Sequence, residues 1–204
     1  MKDIDRALVD IATIRSQFAA GAVFQGFGPA VMAVTGLLAF LTLGLQSVWP
    51  GMFAGDPQTL LWTWVITAFL AAVLVCGETF ARARRAHGGL ADALIINAIE
   101  NFLPAGIAGA AIAFVLLHYS PDTLWVLPGL WQILVALGLF SAARSLPGPI
   151  PLVGAWYLVC GLCVLAAAAT AGAISPWMMG LPFGFGQLLA AFILYSARED
   201  DDDR

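Results

Sequence analysis

Two primary amides, Gln132 and Gln187, stand inside long apolar runs of this chain. An amide in hydrocarbon must find a hydrogen-bond partner, so each is expected to face other helices or a cavity. They can form a shared polar site, or they can fix helix packing through interhelical bonds worth about 0.6–2 kcal/mol, the commoner use. The densest polar cluster is Glu78, Arg82, Arg85, His87, Asp92 and Glu100. Such a set can relay protons, hold a lipid headgroup or dock a partner. It can equally be a solvated loop whose ions pair locally and contribute little. Glu78 and Glu100 stand out because each borders an apolar run.

Cys160 and Cys163 have CxxC spacing, but they lie deep in an apolar run without a nearby His or acid. A redox or metal site needs solvent access and further ligands, so these cysteines read as small packing residues. His118 beside Tyr119 lacks the second ligand that a haem or metal would require. No nucleophile, base and oxyanion-donor constellation is present. The expectation is therefore a non-enzymatic chain with no cofactor and no bound metal.

What positions these residues follows from composition. Of 204 residues 61% are hydrophobic and 11% charged, against about 25% charged in an average soluble domain. Mean hydropathy is +0.89. A soluble core of this size cannot hide so much apolar surface, so lipid is the expected solvent. Six stretches are long enough to span at about 17–25 residues each: Phe27–Val48, Thr59–Gly77, Phe102–Tyr119, Leu124–Ala143, Leu152–Ile174 and Trp177–Ala197. The first run follows a polar segment and is long enough to stay as a membrane helix, so no signal peptide is expected.

All nine Lys and Arg residues fall before the first span, after the last, or in the connections following spans two and four. The positive-inside rule then puts both termini in the cytoplasm, of a bacterial inner membrane on this reading. Trp49, Trp125 and Trp177 would belong to the opposite, outer aromatic belt. The acidic run Glu199–Asp203 argues against nucleic acid as a partner.

Residues 1–26 read as a cytoplasmic amphipathic helix, with Ile4, Leu8, Ile11, Ile14 and Phe18 on one stripe. Acids are as numerous as bases on its polar side, which favours docking on the protein over binding the lipid surface. A second amphipathic helix is expected from Leu90 to about Pro104, after the Gly88-Gly89 break. The transmembrane domain covers residues 27–197 and an acidic tail residues 198–204.

Within that domain, residues 103–142 aligned on 158–197 without a gap match at thirteen of forty positions. The matches include Ser120-Pro121 with Ser175-Pro176, Gly129 with Gly184, and Gln132 with Gln187. Each unit is an in–out–in hairpin, so the fold class expected is all-α, six spans arranged as three hairpins, with the first hairpin sharing only the layout. Gly180-x-x-x-Gly184 allows close helix approach. The Pro/Gly pairs at Leu127-Pro-Gly129 and Leu181-Pro-Phe-Gly184 read as interruptions of spans four and six at similar positions.

The segments Asp3-Ile-Asp-Arg-Ala-Leu8, Gly88-Gly-Leu-Ala-Asp92, Glu100-Asn-Phe-Leu-Pro104, Leu127-Pro-Gly-Leu-Trp-Gln132 and Ser175-Pro-Trp177 resemble a group of six-helix membrane proteins of proteobacteria, often encoded beside a winged-helix regulator. The hairpins are also similar in layout to HdeD-type acid-resistance membrane proteins. Neither resemblance carries functional residues, and layout alone licenses no activity. Two main functions stay open. One is a binding, sensor or regulatory protein with its surface on the cytoplasmic face, its partners the lipid bilayer and a cytoplasmic protein or further copies of itself. The other is a small-solute or ion transporter with a polar site between the repeated hairpins, weakened by the lack of ionisable residues at depth.

Overall fold

The computed structural model describes residues 28–85, 90–145 and 149–202, and of residues 82–85, 90–102, 144–145 and 198–202 the backbone alone. The described chain is all-helical: α1 Pro29–Val48, a short α2 Pro50–Phe53, α3 Pro57–Arg85, α4 Leu90–Tyr119, a 3₁₀ turn Pro121–Val126, α5 Leu127–Ser141, a second 3₁₀ turn Ala142–Ser145, α6 Pro151–Ala171 and α7 Trp177–Asp202. Among the described residues five helical stretches are long and apolar enough to cross a membrane: Pro29–Val48, Pro57–Ala81, Pro121–Ser141, Pro151–Ala171 and Trp177–Ala197. Leu103–Tyr119 is a shorter apolar helix. The expected amphipathic helix of residues 1–26 lies outside the described residues.

Local chemistry sets the boundaries. Proline occupies the first turn of α1, α5 and α6, where its missing N–H is no loss and its φ suits a helix. Before α3, the Asp56 carboxylate accepts from the N–H groups of Gln58 and Thr59 at 2.9 and 3.0 Å and from the Thr59 hydroxyl at 2.6 Å. This caps the helix, and the Thr59 bonds hold the Asp56 carboxyl below its ordinary pKa. α6 ends at Gly172, whose φ of 63° is the left-handed conformation glycine adopts without strain, its N–H closing on Ala168 at 2.8 Å.

Two expectations about breaks need correction. Pro104 does not end a helix, because α4 runs through it to Tyr119; a proline removes one N–H, which a long helix with tertiary support can lose. Pro128 lies within the span Pro121–Ser141, where the 3₁₀ turn gives way to α-helix. It sits in the first turn of α5, after the 3₁₀ turn, whereas Pro182 lies inside α7. The two prolines are thus not equivalent breaks.

The long helices form a ring in which each touches the next along the chain and α7 returns to α1. The fullest contacts are α7 on α1 and α5 on α6, and the sparsest in the ring is α3 on α4. Glycine makes the tight contacts. A Cβ on Gly129 would meet the Gly161 carbonyl at 2.7 Å, and one on Gly36 the Gly184 carbonyl at 3.0 Å. Gly180 and Gly184 lie against Leu43 and Phe40 of α1, so their spacing serves close helix approach. Leu61, Leu124, Leu127 and Ile174 gather the three base-free connections at one end of the ring, while Ala142, Ile150 and Leu194 pack at the other. Outward faces carry exposed Leu37, Ile66, Phe69, Phe114, Val159 and Phe192. Apolar surface this continuous marks contact with lipid.

Candidate functional site: an intramembrane cavity at the α3–α4 seam

Gln132 and Gln187 do not meet in one site. Gln132 is fully buried, and its Nε2 donates to the carbonyls of Pro128 at 3.0 Å and Met178 at 2.8 Å. The second bond has a specific cause. The Met178 carbonyl would normally accept the N–H four residues on, but that residue is Pro182, which has none. The amide on α5 therefore replaces a missing bond of α7, as buried polar backbone in lipid requires. Gln132 Oε1 is buried with no hydrogen-bond partner.

Gln187 instead lines a cavity of about 450 Å³ between α1, α3, α4, α5 and α7. Its walls include Ala39, Ala71, Trp131, Met179 and Phe183, with Thr35, Thr67 and Gln187 supplying polarity. The Thr35 hydroxyl already donates to Met32 at 2.8 Å, and that of Thr67 bonds Thr63 and Thr42, each at 2.9 Å. The walls are consequently almost wholly apolar in what they offer. Val65 and Ala68 of α3 and Gly106 and Ala110 of α4 are lining residues that are also exposed, so the cavity opens between these two helices. Trp131 braces the inner wall by donating to the Gly109 carbonyl at 3.1 Å. Behind Gln187, Tyr157 is 2% exposed, and its buried hydroxyl lies near the amide without a well-formed hydrogen bond.

Opposite the mouth, α1 and α3 are joined by polar groups. Gln46, fully buried, donates to the carbonyls of Phe53 and Leu60, each at 3.2 Å, and accepts from Trp64 Nε1 at 3.0 Å. The Thr42 and Thr67 hydroxyls meet at 2.9 Å one level further along. Sequence reasoning passed over Gln46, Trp64 and these threonines. The available signal was a third amide in an apolar run, with Thr35 and Thr42 seven residues apart on one helical face.

The polar cluster is divided between two helices. Glu78 lies on α3 with its carboxylate pressed against Gly28 at the start of α1, where any Cβ would overlap it. Arg82 and Arg85 lie on the last turns of α3, and Asp92 and Glu100 on the first half of α4; their side chains, and His87 altogether, lie outside the described residues. Cys76, Cys160 and Cys163 are free thiols. Among the described residues no three or more His, Cys, Asp or Glu gather as a metal site. His118 is exposed and stacks on Phe114 at 6.0 Å. No family model, curated protein or solved structure matches the chain.

Proposed function

We propose that this protein is a non-enzymatic binding or sensor protein of the bacterial inner membrane, which takes an apolar, membrane-dissolved ligand sideways from the bilayer. The observation that carries the reading is the apolar cavity opening between α3 and α4, on a surface of exposed apolar side chains. Its volume falls within the ~300–1,000 Å³ typical of small-molecule sites. The six-span, both-ends-in topology completes the picture, with Leu103–Tyr119 as the core of the remaining span. α3 and α4 flank the mouth, and both continue toward residues 86–89, which follow Arg82, Arg84 and Arg85 at the end of α3. A ligand that changes their separation would be sensed at the cytoplasmic face, where a partner can read it.

The transporter alternative drew on the glutamine pair and the Pro/Gly breaks. Gln132 and Pro182 are accounted for by one completed backbone bond, without a permeation path.

The test is solvent extraction of the full-length protein purified in mild detergent, followed by mass spectrometry. An apolar compound should be retained near one per chain and largely lost from Gly106→Phe, whose position has open space around it. Retention of no compound, lipid included, in an amount that Gly106→Phe lowers would sink the binding reading.

A further inference from the structure

The glycine contacts repeat in a way that singles out the open seam. A Cβ on Gly161 of α6 would meet the Gly129 carbonyl, Ile133 Cγ1 and Gln132 Cβ of α5 at 2.9, 2.9 and 3.2 Å. A Cβ on Gly36 of α1 would meet the Gly184 carbonyl, Gln187 Cβ and Leu188 Cγ of α7 at 3.0, 3.2 and 3.3 Å. Gly184, Gln187 and Leu188 stand 55 residues after Gly129, Gln132 and Ile133, the offset of the aligned hairpins. Two hairpin-to-hairpin seams, α5–α6 and α7–α1, are therefore closed by the same trio against one glycine. The same offset carries Gly161 back to Gly106 of α4. At Gly106 a Cβ would meet nothing within 4 Å, and the facing helix is α3. The cavity lies where the third member of this set would close.

We propose, building on the binding reading, that the occupant of this third seam is a single acyl chain of a membrane lipid, inserted between α3 and α4. The mouth residues Val65 and Ala68 fall in the middle of the Pro57–Ala81 stretch, so what borders them is hydrocarbon rather than headgroup. Water is a poor occupant because it needs two to four polar partners, while the Thr35 and Thr67 hydroxyls already donate within the helices and the Gln187 amide is the one further polar side chain on the walls. A helix from a second copy, about 10 Å across with its side chains, is too wide for about 450 Å³. A single alkyl chain is narrow enough to lie along this open seam, where a helix is not. Ala68, Ala71, Ala105, Gly106 and Ala110 line it, small residues that leave room for such a chain.

The experiment places full-length protein in phosphatidylcholine–phosphatidylglycerol vesicles that contain a trace of lipid with a photoreactive mid-chain group. Irradiation is followed by mapping of labelled peptides. Labelling at Val65, Ala68, Gly106 and Ala110 is expected to exceed that at the lipid-facing Leu41 and Phe192 by about tenfold, the equivalent of 1.4 kcal/mol of preference. Gly106→Phe, and separately the milder Gly106→Leu, should remove the excess while leaving Leu41 and Phe192 labelled as before. Equal labelling at all six positions would mean annular lipid only and overturn the acyl assignment. Retention of a different apolar compound, such as an isoprenoid, displaced by Gly106→Phe would also overturn it but leave the binding reading standing. A Gly106→Phe protein that keeps its thermal transition and loses nothing overturns both.

Discussion

At the scale of single residues, the hydrogen bond from Gln132 to Met178 illustrates how a polar group in an apolar helix can be structural. Gln132→Leu should destabilise the protein by about 1–2 kcal/mol, the upper part of the range for interhelical bonds in membranes, because it strands a buried carbonyl. Pro182→Ala gives α7 its own N–H for Met178 and removes the need for the amide. Gln132→Leu should then cost clearly less in the Pro182→Ala background. A double-mutant cycle in denaturant or thermal unfolding measures the coupling, expected within ~0.5–3 kcal/mol for residues sharing one partner. Additive effects would mean that the amide serves something else. The presence of Gln132 as a polar anchor was legible from its type and surroundings. Its partner was not, since the vacancy at Met178 arises from a proline fifty residues away, on another helix.

At the scale of helices, glycines that look alike in sequence differ in what they face. Gly161 and Gly106 occupy matched positions of the aligned hairpins, yet one touches a backbone carbonyl and the other open space. Gly161→Ala should push α5 and α6 apart and cost about 1–3 kcal/mol, as overpacking does. Gly106→Ala should be neutral, or stabilise by up to ~1 kcal/mol through helix propensity. Thermal unfolding of the two variants checks the contrast, and equal effects would contradict the difference between the seams. Hydropathy runs and prolines made five of the long apolar helices readable in advance, and Gly180-x-x-x-Gly184 announced a close contact. The matched hairpins did not announce which seam stays open. That depends on α3, whose sequence has no alignable counterpart of the Gly129, Gln132 and Ile133 trio and offers Ala68 and Ala71 instead.

At the scale of the whole molecule, the proposed orientation rests on charge placement around the ring. The connections 49–56, 120–126 and 172–176 contain no Lys or Arg, and their residues and neighbours pack together at one end through Ala54, Leu124 and Ile174. Moving basic side chains across a bilayer is costly, so the proposed orientation keeps the end that bears them on the side of synthesis. A single cysteine in a chain stripped of Cys76, Cys160 and Cys163 tests this directly. Gln58→Cys should react with a membrane-impermeant maleimide in intact cells, because residue 58 is exposed at the base-free end. His87→Cys should react only after the membrane is permeabilised, since it sits in the basic connection. The same two variants carry weight for the ligand reading as well. If the basic connection is cytoplasmic, as proposed, a change in the separation of α3 from α4 at mid-membrane would reach that compartment through two continuous helices. Labelling of His87→Cys from outside would reverse the orientation and, with it, the compartment in which an occupied seam could be read.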